Sequence, residues 1–308
     1  MAIFFTKIII LPQFYNSMCD YVLTDVILYR SKILYRSKSM LGACINLNLF
    51  VMELIGLTIG HMTPRGNVRI QSDISAELRR GEFTCLLGPN GAGKTTMLRT
   101  LSGFIPPLEG SILIDGRSIA SYRQSELASK IGVVLTERPS VSSMTVVQLV
   151  SLGRSPYTGF WGRLTDRDRQ VTEEAMELTG IGGLRDRLVD TLSDGERARV
   201  MVAKALAQET PVIFLDEPTA FLDFPGKAEM MRLLQSLAHE QDKTIFQSTH
   251  DLNMALALAD RIWLADRRLG VRVGTPRELA DDGSLQRYFL RPGIAFDPDA
   301  LEFRVETS

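Results

Sequence analysis

The chain has 308 residues, of which 45% are hydrophobic and 23% charged, a balance typical of a globular protein with a buried core. Its formal net charge is -1 and it has no long basic run, which disfavours a nucleic-acid-binding protein. The spacing of the three cysteines, Cys19, Cys44 and Cys85, does not fit a metal or redox site and argues against a disulfide scaffold. No uninterrupted apolar stretch is long enough for a membrane helix, which argues against an integral membrane protein.

The N-terminal segment 1–51 differs in composition from the rest of the chain. It is rich in Phe, Tyr, Met, Ile, Asn and Lys, contains no glutamate, and repeats Ile-Leu-Tyr-Arg-Ser-Lys at 27–32 and 33–38. Two short copies do not make a solenoid, and a basic, aromatic segment on a membrane surface is one interpretation. Because AT-rich codons favour these residue types, we expect an atypical extension that is non-native or disordered, with the natural protein beginning at Met52.

The segment 83–96 joins an apolar run, Phe83–Leu87, to a glycine-rich loop and then to a predicted helix. Such a run is typical of a buried parallel strand. The loop fits the pattern G-x-x-x-x-G-K-S/T, in which glycines let consecutive N–H groups turn toward a phosphate, and the helix adds its positive end. This P-loop predicts an ATP-binding site, and its residues are Gly88, Pro89, Asn90, Gly91, Ala92, Gly93, Lys94, Thr95 and Thr96.

Two helices are predicted downstream of the P-loop. The first has an apolar stripe from Val171 to Leu178, begins near Thr165 and ends before Gly180. The second is amphipathic and begins after Ser193, which stands in the position of an N-cap. The N–H groups at the start of such a helix can bind a γ-phosphate.

A carboxylate pair follows another apolar run, Val212–Leu215, which ends at Asp216 and Glu217. An aspartate at the end of a buried strand can hold Mg²⁺ through water, and Glu217 can activate or position the attacking water. Upstream, Lys94 is suited to the β- and γ-phosphates and the Thr95 hydroxyl to Mg²⁺. Two acids in a solvated turn are the alternative, but the P-loop favours a magnesium-dependent hydrolytic site.

Four apolar runs, at 83–87, 131–135, 212–215 and 244–248, alternate with predicted helices. This order predicts an α/β sheet with the nucleotide at the carboxyl ends of the strands. His250 follows the last run directly, at that same edge. A lone histidine is most often structural, but this position favours a functional one.

The motif Leu192-Ser193-Asp194-Gly195-Glu196 resembles the signature of ABC transporter ATP-binding subunits, usually leucine-serine-glycine-glycine-glutamine. Its place between the P-loop and the carboxylate pair also matches that family, and the resemblance covers roughly residues 53–290. It implies a P-loop NTPase fold of the ABC ATPase type. That fold has a RecA-like α/β core, an antiparallel β subdomain near 53–82 and 111–120, and an α-helical subdomain near 139–207. Residues 52–290 are then the ABC ATPase domain and 291–308 a C-terminal tail.

The resemblance also implies a homodimer, in which the signature of one subunit closes over the ATP held by the P-loop of the other. The signature residues that act in trans are Ser193, Asp194, Gly195 and Glu196. The implied catalytic residues are Glu217, His250 and Lys94, with His250 as the switch histidine at the γ-phosphate, and the implied Mg²⁺ residues are Thr95 and Asp216. Asp223 matches the D-loop aspartate that acts across the dimer, and His61 lies where the family usually has an aromatic residue that stacks on adenine.

Two positions depart from the family pattern. Thr136, followed by Glu137, replaces the usual glutamine that bridges Mg²⁺ and the membrane subunit; its hydroxyl can still coordinate, but its reach is shorter. Asp194 replaces a glycine, and because a triphosphate would repel its carboxylate, we expect it to point outward and cap the helix or meet a partner. Neither change removes the phosphate- and water-binding residues, so we expect an active ATPase.

The segment Leu152–Gly159 is similar to importer ATPases for iron–siderophore, haem and cobalamin uptake, as are 250–261 and 273–279. Within it, Arg154 and Tyr157 either pack in the helical subdomain or line the groove for the membrane subunit. The resemblance implies a peripheral subunit on the cytoplasmic face of a bacterial inner membrane, bound to separate permease subunits and served indirectly by a periplasmic binding protein. A soluble ABC ATPase in protein or cluster assembly is the alternative, and no nucleic-acid partner is expected.

Overall fold

The computed structural model describes residues 28–29, 32–33, 50–64, 66–136, 143–159 and 162–306. The chain divides at residue 47, and its two parts are described separately. In the first part, strands β1 (Leu28–Tyr29) and β2 (Lys32–Ile33) form a short antiparallel pair where the six-residue unit is repeated. The prediction that residues 1–51 are non-native or disordered lies mostly outside the described residues.

The second part consists of the following strands and helices. The strands are β3 (Phe50–Thr63), β4 (Gly66–Arg79), β5 (Phe83–Leu87), β6 (Glu109–Ile114), β7 (Arg117–Ser118), β8 (Ile131–Val134), β9 (Val212–Asp216), β10 (Thr244–Ser248), β11 (Arg261–Asp266), β12 (Gly270–Gly274), β13 (Ile294–Asp297) and β14 (Glu302–Val305). The helices are α1 (Lys94–Leu101), α2 (Gln124–Ala128), α3 (Val146–Ser151), α4 (Asp166–Leu178), α5 (Asp194–Ala207), α6 (Phe224–Glu240), α7 (Leu252–Leu258), α8 (Pro276–Asp281) and α9 (Ser284–Phe289). None of these helices is long and apolar enough to cross a lipid bilayer.

The central sheet has six strands in the order β12-β11-β5-β10-β9-β8. Neighbours from β11 to β8 are parallel, and β12 is an antiparallel edge strand. Strands β5, β9 and β10 are buried along their whole length, because both faces of the sheet are covered, and this explains their continuous apolar sequences. The four predicted strands coincide with β5, β8, β9 and β10 to within one residue.

The antiparallel sheet β4-β3-β6-β7 covers one face of the central sheet. Its long strand β3 begins at Phe50, two residues before Met52. Apolar side chains of β3, β4 and β6 pack against Phe214, Phe246 and Trp263 of the central sheet. Those three rings meet edge to face, with centroids 5.7 and 5.1 Å apart, which adds directional contacts to the buried area. The predicted antiparallel β subdomain is therefore confirmed.

Helices α3, α4 and α5 pack together in the predicted helical subdomain. Helix α4 begins with a capping box, in which Thr165 Oγ1 accepts from the Asp168 N–H (3.2 Å) and Asp168 Oδ2 accepts from the Thr165 N–H (2.9 Å). Gly180, at φ 70°, follows the helix and lets the chain turn in a left-handed conformation. The predicted start and end of this helix agree with the structure.

Residues 291–306 of the predicted C-terminal tail contain the antiparallel hairpin β13–β14. The Phe303 N–H donates to Asn253 Oδ1 (2.8 Å), and Asn253 Nδ2 donates to the Phe303 carbonyl (3.0 Å). The Phe303 ring contacts Phe289 and Phe296, with centroids 5.9 and 4.7 Å apart. The hairpin is thus fixed to α7, the helix that follows His250.

Candidate nucleotide-binding site

The P-loop connects β5 to α1 at the carboxyl edge of the central sheet. Gly91 and Gly93 have φ angles of 79° and 98°, a left-handed conformation that residues with a Cβ rarely adopt. Lys94 is buried, and its Nζ donates to the Gly88 carbonyl (3.0 Å), so the lysine folds back over the loop. The sequence prediction of a phosphate-binding turn agrees with this geometry.

Two residues that belong to no recognised sequence motif donate hydrogen bonds to main-chain carbonyls of the P-loop. Gln71 of β4 is buried, and its Nε2 donates to the carbonyls of Ala92 and Asp266, each at 3.0 Å. Arg267 Nε donates to the Gly91 carbonyl (2.8 Å). Sequence reasoning missed both residues, since their partners lie on elements that are distant along the chain.

A cleft of about 270 Å³ opens beside the P-loop. Its lining residues are His61, Ile70, Asn90, Gly91, Gly93, Lys94, Thr95, Thr96, Glu217 and Arg267. Gly88, Pro89 and Ala92 complete the loop without lining the cleft. The structure therefore brings His61, an exposed side chain on β3, to the same cleft as the P-loop, as the adenine-stacking prediction requires.

The carboxylate pair lies at the end of β9, next to the P-loop. Ser248 Oγ donates to Asp216 Oδ1 (2.6 Å) and accepts from the Glu217 N–H (3.0 Å). On the other side, Thr136 Oγ1 donates to the Asp216 carbonyl (2.6 Å). The Thr136 hydroxyl is therefore engaged with the main chain of β9, a contact that the sequence did not predict, and Glu137 lies outside the described residues.

Three charged or titratable side chains meet beside these residues, and we call them the nucleotide-site cluster: Lys94, Glu217 and His250. His250 Nε2 lies 2.7 Å from Glu217 Oε1 and 3.3 Å from Lys94 Nζ, while Lys94 Nζ lies 3.9 Å from Glu217 Oε1. Burial lowers the pKa of Lys94, although the negative charges of Glu217 and Asp216 act in the opposite direction. The three predicted catalytic residues are thus brought together.

The residues predicted to hold Mg²⁺ fit that ion chemically. Thr95 is exposed in the cleft, so its hydroxyl oxygen is accessible. Asp216 uses Oδ1 to accept from Ser248, which leaves Oδ2 for a metal-bound water. Hydroxyl and carboxylate oxygens are the hard donors that Mg²⁺ prefers.

The predicted signature forms the start of α5. Ser193 caps the helix: its Oγ accepts from the Glu196 N–H (3.3 Å), and Glu196 Oε2 accepts from the Ser193 N–H (2.8 Å). Hydrogen bonds from the Ser193 N–H and hydroxyl lower the pKa of Glu196. Asp194 is exposed in the first turn, where the helix dipole favours an acid, and it lines a small pocket together with Thr136, Asp216 and Glu217. Ser193, Asp194, Gly195 and Glu196 do not line the cleft beside the P-loop of their own chain.

Asp223 and Arg154 have local structural roles in the chain. Asp223 caps α6, because its Oδ1 accepts from the Gly226 N–H (3.0 Å), and its contact across a dimer stays a prediction. Arg154 is 3% exposed, and its guanidinium carbon Cζ lies 4.2 Å from the centroid of the Tyr157 ring, against the face of that ring. For Arg154, the structure supports packing within the helical subdomain, whereas Tyr157 is 44% exposed and its place in a groove for the membrane subunit stays a prediction.

The ABC transporter family model matches residues 71–220. The ABC transporter ATP-binding protein MJ0873 of Methanocaldococcus jannaschii, described as uncharacterized, is 39% identical over 229 residues, covering 74% of this chain and 78% of the relative. The ferric enterobactin transport ATP-binding protein FepC of Escherichia coli is 37% identical over 245 residues, covering 79% of this chain and 89% of the relative.

The structural comparison agrees with these relatives. The ATP-binding cassette MJ0796, solved as a dimer in a post-hydrolysis state with ADP and Pi, superposes with a TM-score of 0.63 at 27% identity. The match covers 73% of this chain and 98% of that cassette. Sequence identity over most of the chain and the shared fold lead to one conclusion: this chain belongs to the ABC transporter ATP-binding protein family, and it is an ATPase that binds ATP.

Proposed function

We propose that the chain powers an ABC importer that takes up a metal chelate through separate permease subunits. The similarity to the ferric enterobactin transport protein, over most of both chains, carries this proposal. A ferric siderophore is the proposed substrate, with haem and cobalamin as alternatives. The chain then works as a peripheral subunit on the cytoplasmic face of a bacterial inner membrane, and a periplasmic binding protein delivers the chelate to the permease.

At the proposed site, the P-loop N–H groups and Lys94 bind the phosphates, and His61 stacks on the adenine. In this structure, Glu217 is the acidic partner of both His250 and Lys94. A γ-phosphate carries more negative charge and replaces Glu217 as their partner, so Glu217 becomes available to accept a proton from the attacking water.

Thr95 and Asp216 are the proposed Mg²⁺ residues. When bound, Mg²⁺ supplies positive charge to the β- and γ-phosphate oxygens. The role of this chain is to present the Thr95 hydroxyl in the cleft and to orient the Asp216 carboxylate through its hydrogen bond from Ser248.

The proposed ATPase unit is a dimer of this chain. The capped start of α5 presents backbone N–H groups to solvent, yet the signature residues do not line the cleft of their own chain. A second copy can place its Ser193 and Gly195 at the γ-phosphate, which joins the two copies while ATP is intact. Hydrolysis removes that link, and the opening of the dimer drives the permease.

The transport proposal is tested by uptake of labelled ferric siderophores, haem and cobalamin in a strain that lacks this chain. We expect uptake of one chelate to be lost and to return with the wild-type chain but not with Glu217→Gln. Unchanged uptake of all three, together with a chain that purifies without a polytopic permease, would instead support the soluble assembly ATPase.

The dimer proposal is tested separately by size-exclusion chromatography of Glu217→Gln subunits with MgATP. We expect ATP to produce a dimer, and a second change, Ser193→Arg, to abolish it because a bulky cation replaces the helix cap. The control is Ser155→Arg, an exposed serine in the same subdomain. A dimer that persists with Ser193→Arg would contradict the role of the signature.

A further inference from the structure

The peptide group between Asp216 and Glu217 is hydrogen-bonded at both of its ends. Its carbonyl accepts from Thr136 Oγ1 (2.6 Å), and its N–H donates to Ser248 Oγ (3.0 Å). Thr136 follows β8 and Ser248 ends β10, and these strands lie on either side of β9. Both neighbouring strands therefore fix the plane of this one peptide.

This peptide precedes a residue in an unfavourable backbone conformation. Glu217 has φ 50°, in the left-handed region that a residue with a Cβ enters at a conformational cost. Such a conformation persists only where the surroundings determine it. Because the peptide plane sets the φ angle of the residue that follows, the Thr136 and Ser248 hydroxyls hold Glu217 in this conformation.

The held conformation determines where the Glu217 carboxylate lies. From this backbone its Oε1 reaches His250 Nε2 at 2.7 Å and lies 3.9 Å from Lys94 Nζ. A rotation of the peptide plane would move the side chain away from both. The position of a carboxylate that acts on water must be exact to within a fraction of an ångström, since small displacements reduce the rate strongly.

We propose that Thr136 is a positioning residue for Glu217, acting through its hydrogen bond to the Asp216 carbonyl. The inference rests on the catalytic role proposed for Glu217. At the position where the family usually has a longer glutamine, this chain has a hydroxyl that reaches the backbone of β9 instead. Thr136 thus links the end of β8 directly to the hydrolytic carboxylate.

The first test is steady-state ATPase kinetics of Thr136→Val and Thr136→Ser in the full chain. Valine keeps the branched shape but removes the hydroxyl, so we expect kcat to fall about tenfold while KM for ATP changes less than about twofold. Serine keeps the hydroxyl, and we expect it to retain most of the wild-type kcat. Wild-type kcat in Thr136→Val, or equal losses in both variants, would overturn the proposal.

A matched control lies just before β9, at the end of that strand opposite to Asp216. Thr210 Oγ1 donates to the Val212 carbonyl (2.9 Å), so Thr210→Val removes a comparable hydroxyl contact far from Glu217. We expect this change to leave kcat within about twofold of the wild type after correction for the folded fraction. If Thr210→Val lowers kcat as much as Thr136→Val does, the effect is a general loss of strand order and the positioning role is refuted.

The second test is a double-mutant cycle, measured by single-turnover hydrolysis. If Thr136 acts through Glu217, Thr136→Val should lower the residual rate of Glu217→Gln by less than about twofold. A further tenfold loss would overturn the proposal. The two hypotheses fail differently: a fully active Glu217→Gln removes the catalytic role of Glu217, whereas an inactive Glu217→Gln beside a fully active Thr136→Val removes only the positioning role.

Discussion

Two groups of charged side chains in this molecule each combine basic and acidic residues, but they differ in how fully their charges are paired. The nucleotide-site cluster combines Lys94 with Glu217 and His250, and its lysine lies 3.9 Å from the glutamate. The helical-subdomain cluster, which we define as Arg154, Asp168 and Glu209, has ion-pair distances of 2.9 and 2.7 Å.

The helical-subdomain cluster is saturated with partners. Arg154 also donates to the Ala207 carbonyl (2.7 Å), and Asp168 also accepts from the Thr165 N–H and hydroxyl. The Arg154 and Asp168 side chains are both buried and hydrogen-bonded within the protein, so this network is not accessible to a ligand. It joins the segment after α3 to α4 and to the end of α5, which indicates a stabilising role.

The nucleotide-site cluster is open by comparison. The His250 side chain is 45% exposed and that of Glu217 is 28% exposed, whereas the Arg154 and Asp168 side chains are 4% and 5% exposed. Lys94 and Glu217 line a cleft where a phosphate can bind. The comparison teaches that residue type alone does not separate charged side chains that bind a ligand from those that stabilise the fold. Their solvent accessibility and their partners do.

The largest expected difference between the clusters is in hydrolysis. Glu217→Gln removes the proposed proton acceptor, and we expect ATP turnover to fall about 1000-fold with little change in thermal stability. The matched change in the other cluster, Glu209→Gln, should lower stability and leave the turnover of folded molecules unchanged. ATPase assays combined with thermal unfolding check both, and equal effects on turnover would break the comparison.

The next effect is on stability. Asp168→Asn removes a charged acceptor of Arg154, and we expect the free energy of unfolding to fall by about 2 kcal/mol while the Kd for ATP stays constant. Asp166→Asn is the control, since Asp166 is exposed and pairs only at the surface with Arg169. Urea unfolding and nucleotide titration measure both quantities; a weaker Kd in Asp168→Asn would show that the two clusters are coupled.

Acid should weaken the helical-subdomain cluster over a defined range of pH. Hydrogen bonds from the Thr165 hydroxyl and N–H, and then from Arg154, lower the pKa of Asp168 to about 2. An unfolded aspartate titrates near about pH 3.9. Because the folded pKa is lower, the contribution of Asp168 is complete above about pH 4 and is lost as pH falls through about 2. Urea unfolding from pH 6 to pH 3 should show the gap between wild type and Asp168→Asn narrowing only below about pH 4.

The smallest expected effect is on stability, and it concerns Tyr157, at the edge of the helical-subdomain cluster. Tyr157→Phe keeps the ring that covers Arg154 but removes the hydroxyl that donates to the Gln208 carbonyl (2.9 Å). We expect the free energy of unfolding to fall by about 1 kcal/mol without a change in transport. Lost uptake with unchanged stability would instead place Tyr157 in the groove for the membrane subunit.

Local patterns in the sequence predicted most of the nucleotide site. The P-loop, the cap at Ser193 and the cap at Thr165 depend on residues that are close together along the chain. Glycine conformations, side-chain caps and continuous apolar strands follow from such short-range physics. The resemblance to a family then supplied the subdomains and the pairing of the signature with the P-loop.

Long-range contacts in the tertiary structure decided what these patterns left open. Gln71 reaches a carbonyl 195 positions away, and Thr136 reaches one 80 positions away. Such partners depend on the order of strands in the sheet, which no local pattern encodes. The burial of Arg154, which the sequence left undecided, depends likewise on how α4 and α5 pack around it.

The sequence by itself determined the P-loop, the capped helices and the buried strands, because glycines, caps and apolar runs act locally, and its resemblance to a known family indicated the ABC type. Only the tertiary structure decided which polar side chains hold the site and which hold the fold. The physical reason is that a hydroxyl or a charge takes its role from its neighbours in space. Placing β8 and β10 on either side of β9 is what brings Thr136 and Ser248 to one peptide bond.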